Sequence, residues 1–191
     1  MHTGTVIFLG LVLTFFSAQA AELAGVVLPD SKNIANKELH LYGLGLREKY
    51  WLDIYVAGLY LPSSFSKPNL SSQEIIIAEL PKSIHTEFIF PNVPKEKMIE
   101  TLEENIQNNP KITQITQEKM HQCQSWMEDY TSGDKVIFDY VPNHGTTITV
   151  KGVVKGTISG SDFMQALFSI YLGPNPASEQ LKRGLLNSST Q

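Results

Sequence analysis

The chain has 191 residues, 42% of them apolar, with a formal net charge of −4 and one cysteine. That length holds one domain with a real core, and an acidic balance without a basic run or stripe argues against nucleic-acid binding. The lone Cys123 excludes an internal disulfide, so stability must come from packing.

Residues 1–20 read as a secretory signal. Val6 to Phe16 is an apolar stretch of suitable length, and Ser17-Ala18-Gln19-Ala20 offers small residues before a cut. The stretch has no basic flank and is too short to span a bilayer. The expectation is a single domain over residues 21–191, exported, with no spanning segment in the mature chain. Strand patterns follow at Ala24–Leu28, Leu39–Tyr42, Tyr50–Leu61, Glu74–Leu80 and Ile84–Phe90, with breaks at Asn69 to Ser72 and at Pro81-Lys82.

The period then changes. Lys95–Asn108 puts Met98, Ile99, Leu102 and Ile106 on one helical stripe behind Pro94, and Pro110 stops it. A second helix is predicted over Thr113–Thr131, with Met120, Cys123, Met127 and Tyr130 aligned and Gly133 as its stop. Lys135–Val141, Thr146–Lys151 and Val153–Ser159 return to strand chemistry, with Lys151-Gly152 as a tight turn. Ser161 would cap a third helix bearing Phe163, Leu167, Ile170 and Tyr171, ending at Gly173-Pro174. Asn175-Pro176 opens a fourth, with Leu181, Leu185 and Leu186. Strands, two helices, strands and two more helices make an α+β fold, an antiparallel sheet with helices on one face.

Two arginines stand against thirteen lysines, and one of them, Arg47, lies beside the least polar strand. In Tyr50–Leu61 one face carries Leu52, Ile54 and Val56, and the other Trp51, Tyr55, Ala57 and Leu59, so both faces are covered. A cation near such a strand needs a partner; the alternative is a surface arginine in a polar turn with Glu48 and Lys49. Tyr55 is a second polar candidate or an ordinary strand tyrosine. Along one straight strand Arg47 and Tyr55 would stand about 26 Å apart. They meet only if the chain reverses near Glu48-Lys49, and a tight reversal there would pair Tyr55 nearer Tyr42.

Other chemistry is thin. The histidines have no ligand spacing, so no metal is expected, and no cofactor motif occurs, because no helix follows Gly43-x-Gly45. Cys123 reads as a buried structural thiol. Asp134, Asp139 and Asp162 are expected at turns or helix starts, accepting from backbone donors.

The run Gly43-x-Gly45-x-Arg47, the apolar strand and Ala57-Gly58-Leu59-Tyr60-Leu61 resemble the chalcone isomerase-like superfamily, in its bacterial exported branch. A second block agrees: Gly133-Asp134, Asp139-Tyr140-Val141-Pro142, Gly145-Thr146, Gly152, Gly156, Asp162-Phe163, Tyr171-Leu172-Gly173 and Pro176, so that the likeness covers roughly 38–187. The resemblance implies an open-faced β-sandwich, a large antiparallel sheet with a helix layer on one face and a cleft between them. It implies a periplasmic location. It places Arg47 on the arginine that grips an anionic oxygen in the isomerases or a carboxylate in the fatty-acid binders. Tyr55 falls where the isomerases have threonine and the binders tyrosine. The plant enzymes carry a tyrosine, a lysine and an asparagine on the helix corresponding to Lys95–Asn108. Here those places hold Lys97 or Met98 and Glu100 or Thr101, with Glu103-Glu104 beyond and no tyrosine, so chalcone cyclisation is not expected.

The favoured reading is a non-enzymatic binder of a fatty acid or similar small hydrophobic carboxylate. Its walls would come from Trp51, Ala57, Leu59, Met98, Leu102, Phe163, Leu167 and Tyr171, with Arg47 and Tyr55 at the head. The alternatives are an isomerase or intramolecular lyase acting on a small anionic substrate, and a partner-binding protein with a filled cleft.

Overall fold

The computed structural model describes residues 21–67, 70–108 and 112–187. The expected signal segment, 1–20, and the expected breaks at Asn69 and Pro110 lie outside them. A short hairpin, β1 (Ala21–Leu23) and β2 (Val26–Leu28), precedes seven strands: β3 (Ser31–Ile34), β4 (Lys37–Lys49), β5 (Leu52–Leu61), β6 (Lys82–Phe88), β7 (Lys135–Val141), β8 (Gly145–Val150) and β9 (Val153–Ile158). The seven form one antiparallel sheet whose spatial order is their order in the chain.

Helices fill the gaps. α1 (Ser72–Ile77) lies between β5 and β6; α2 (Lys95–Asn108) and α3 (Gln114–Gln124) lie between β6 and β7. α4 (Ser161–Leu172) and α5 (Glu179–Leu185) follow β9. α4 is apolar almost all round, burying Phe163, Met164, Leu167, Phe168, Ile170, Tyr171 and Leu172, as a helix enclosed by others requires. The covered face of the sheet supplies Tyr55, Ala57, Leu59, Ile84, Phe88, Phe138 and Ile148 to the same core. On the other face the β1–β2 hairpin packs Val26 and Leu28 on Val56. This is the expected α+β architecture, an open-faced sandwich.

Several expectations on elements need correction. Ser161 does not cap α4 but is its first residue, after Gly160, and α5 begins at Glu179 behind a Ser178 cap rather than at Asn175-Pro176. Glu74–Leu80 is not a strand. Ser71 Oγ accepts from Glu74 N (3.2 Å) and the Glu74 carboxylate accepts from Ser71 N (2.9 Å), a reciprocal cap that commits the isoleucine run to α1 despite its β-branching. The helix expected to reach Thr131 stops at Gln124, because Tyr130 is drawn into a β-bridge with Val93. The strand expected from Tyr50 begins at Leu52, and β4 runs through Gly43 and Gly45 to Lys49. Asp139 lies mid-strand, accepting from Lys32 Nζ (2.7 Å) and Ser83 Oγ (2.6 Å). Lys151-Gly152 is the expected tight turn, with φ of 51° and 78°. Cys123 is buried, and burial pushes its thiol up to about 12.

The two β4 glycines are required by α5. A Cβ on Gly43 would stand 2.4 Å from the Leu185 carbonyl oxygen, and one on Gly45 2.3 Å from that of Leu181. The helix therefore rests directly on the strand backbone.

Lys82 was not foreseen. Strand alternation carries it onto the covered face of β6, opposite Tyr140, where it is fully buried. Its Nζ donates to the carbonyls of Ile75 (2.5 Å), Ile76 (3.0 Å) and Ala78 (3.0 Å), the carbonyls that the end of α1 leaves without helical partners. It also lies 4.9 Å from the Phe168 ring centroid. Burial pushes its pKa down to about 7, against the opposing pull of the Glu79 carboxylate. Below that value the folded and unfolded chains both hold the proton. Between it and the ordinary 10.5 only the unfolded chain does, so stability rises with pH across that window. The urea midpoint of the wild type should therefore climb, relative to Lys82→Met, as pH rises from about 7 to about 10. At neutral pH Lys82→Met should be less stable by about 2 kcal/mol, because three carbonyls lose their donor. Parallel pH profiles for the two proteins would refute this account.

Candidate functional site

Arg47 and Tyr55 are direct partners. The chain reverses at Tyr50-Trp51, not at Glu48-Lys49, so β4 and β5 pair Arg47 with Tyr55. The 26 Å separation of a straight strand is thereby removed, and so is the pairing of Tyr55 with Tyr42. A register shift follows at once, Glu48 facing Asp53, which leaves Ile54 as the extra residue. Such bulges re-aim the side chains beside them.

At this end of the sheet three rows of side chains cross the covered face. The outermost runs Arg47, Tyr55, Phe88. The next runs Gly45, Ala57, Thr86, Val136, and the third Gly43, Leu59, Ile84, Phe138. The middle row is built of small residues, so the floor is lowest immediately behind the arginine–tyrosine pair.

Arg47 is half-buried, and its Nη1 donates to the Glu48 carbonyl at 3.3 Å. Among the described residues no carboxylate forms an ion pair with it. Tyr55 is buried, its ring edge-on to Phe88 at 5.6 Å, and Phe88 stacks on Tyr130 at 4.2 Å. Burial pushes the Tyr55 phenol up to about 12, with the Arg47 charge pulling the other way. It is a neutral hydrogen-bond donor at any physiological pH.

Tyr171, from α4, brings a second phenol to this place. Burial raises its pKa well above the ordinary value, and the nearby Tyr55 phenol adds to the shift. Thr86 Oγ1 is buried with no hydrogen-bond partner among the described residues. Thr86 is a residue that sequence reasoning missed. The signal was present, because alternation through Ile84, Thr86 and Phe88 places a hydroxyl on an otherwise apolar face.

The expected walls divide. Ala57, Leu59, Phe163 and Leu167 are fully buried in the main core, Leu102 nearly so, and Met98 packs half-buried against it. Trp51 is no wall: it is 95% exposed, at the tip of the turn. Its assignment counted strand alternation back through residues that belong to the reversal, where alternation has no meaning. A groove of about 360 Å³ opens elsewhere, beside Arg183, lined by Leu41, Tyr42, Gly43, Leu44 and Gly184 among others. Among the described residues no three His, Cys, Asp or Glu side chains cluster as a metal set, and no helix is long and apolar enough to cross a membrane.

The seven-stranded meander with a helix layer over one face, and a cationic–phenolic pair at one end of that face, define an open-faced sandwich. The family model for chalcone isomerase-like proteins matches residues 20–187, and the chain belongs to that family. Among solved structures it is similar to the fatty-acid binding protein AtFAP1 of Arabidopsis thaliana, with a TM-score of 0.66 and 16% identity, over 88% of this chain and 96% of that one. A search of curated proteins finds no significant match.

Proposed function

We propose that this protein binds a fatty acid, or a similarly small hydrophobic carboxylate, between sheet and helices, and does so without chemical turnover in the exported compartment. The observation that carries the reading is Arg47, half-buried with no carboxylate partner among the described residues, directly across from a buried, neutral Tyr55. A guanidinium stays ionised and donates two parallel hydrogen bonds to a carboxylate, and the Tyr55 phenol adds a third donor. The acyl chain would lie over the low row of Ala57 and Thr86, toward Leu102, Phe163 and Leu167. Each buried methylene contributes about 0.8 kcal/mol. The likeness to a fatty-acid binding protein supports the reading. The phenols also tell against an acid–base catalyst, since burial moves them away from neutral pH.

Native mass spectrometry of the purified mature chain, followed by extraction under denaturing conditions, should release a bound carboxylic acid. Ligand-stripped protein given a medium-chain fatty acid at about a hundred times Kd should melt roughly 5–10 °C higher. No released lipid together with no shift would end the proposal.

A further inference from the structure

The β4–β5 reversal is built from two residues that resist it. Tyr50 and Trp51 both adopt left-handed backbone, with φ of 52° and 62°, a turn that favours Asn-Gly because bulky side chains are strained there. None of the described residues covers the turn enough to offset that strain: Tyr50 is 78% exposed, Trp51 95% and the next residue, Leu52, 47%. Three contiguous apolar side chains thus stand in water at the end of a long hairpin, in the turn least suited to them.

We propose that this tip docks onto a phospholipid bilayer surface, with Trp51, Tyr50 and Leu52 entering the headgroup boundary. Indole and phenol rings carry an apolar body and a polar edge, the combination that settles at a membrane–water boundary. The cation beside them suits a lipid phosphate. The Lys49 ammonium lies 5.8 Å from the Tyr50 ring centroid and forms no ion pair among the described residues. Three side chains are far too few for a specific protein interface, which uses some twenty residues a side, but they suffice for shallow insertion. The net charge of −4 rules out long-range attraction to an anionic surface, so attachment comes from ring insertion and depends weakly on salt. The tip lies three residues beyond Arg47, about 10 Å along the strand. A docked protein would hold its carboxylate site next to the source of its ligand. The docking itself stands on the turn and its exposure, apart from the ligand reading.

The test is flotation of the mature chain with vesicles of phosphatidylcholine and phosphatidylglycerol, comparing wild type with Tyr50→Asn/Trp51→Gly. The double variant installs the residues that the turn prefers, so it should melt at a higher temperature yet float at least about tenfold less. Its thermal shift with soluble decanoate should match that of the wild type. Equal flotation of the two proteins would overturn the proposal. So would a lower melting temperature in the variant, which would give the rings a structural role, or loss of the decanoate shift in the variant alone, which would assign them to the ligand slot. A wild-type dimer in buffer that the variant abolishes would make the tip a contact between copies, and would overturn it too. Should decanoate shift neither protein, the ligand reading fails and flotation still decides the docking.

Discussion

Gly45→Ala should lower the melting temperature by roughly 6–12 °C, the shift that about 3 kcal/mol produces in a domain of this size. The added Cβ would stand 2.3 Å from the Leu181 carbonyl oxygen and 3.0 Å from its carbon. Those atoms are helix backbone, which cannot yield as a flexible side chain does, so α5 must lift away from β4. Lifting it uncovers Leu181 and Leu185, both fully buried, and each such side chain contributes about 1.5–3 kcal/mol when buried. The contact is reciprocal, because a Cβ on Gly184 would meet the Leu44 carbonyl oxygen at 2.3 Å. Gly184→Ala should therefore destabilise by a similar amount. Thermal and urea unfolding of both variants measure this, and a change under 2 °C in either would show that α5 is not seated as described.

Arg47→Ala should weaken fatty-acid binding about 30- to 100-fold, the loss expected when a carboxylate gives up charge-assisted hydrogen bonds. Arg47→Lys keeps the charge but not the planar fork, and should cost about tenfold. Tyr55→Phe removes one neutral donor and should cost about fivefold. Calorimetric titration of ligand-stripped protein with decanoate resolves all three. Arg47 is only half-buried, so its removal should leave the melting temperature of the unliganded protein nearly unchanged. The methyl ester of the acid supplies the complementary control. It keeps the chain and lacks the charge, so it should bind wild type and Arg47→Ala alike. An Arg47→Ala protein that holds decanoate as tightly as wild type would refute the head-group assignment.

The two halves of the molecule differ in how openly their sequence announces them. From Lys135 onward every expected strand is present within a residue or two, because Val, Ile and Thr alternate cleanly and turn residues separate them. In the first half competing local signals decided the outcome. Ser71 and Glu74 outweighed three isoleucines, and the cue for their cap was legible in the order of the residues. The end of α3 was not legible, since the Val93–Tyr130 bridge joins residues 37 positions apart.

The candidate site shows the same division. Arg47 stood out because an arginine is rare here and lies beside a strand without polar faces, and Thr86 could have been found by continuing the alternation of β6. The placement of Trp51 failed because tyrosine and tryptophan are unusual in a left-handed turn, so nothing local marks Tyr50-Trp51 as the reversal. Lys82 was hidden for a related reason: its three acceptors belong to the end of a helix that the chain was not expected to form there.

Residue order by itself determined the α+β class, the family, the single unpaired thiol and the arginine of interest, because composition, periodicity and short motifs are local properties. Only the tertiary structure decided that Arg47 faces Tyr55, that two glycines exist to seat α5 and that Trp51 stands in solvent. Each of those depends on register, and register is set by where the chain turns and what packs across it rather than by any one segment's preferences.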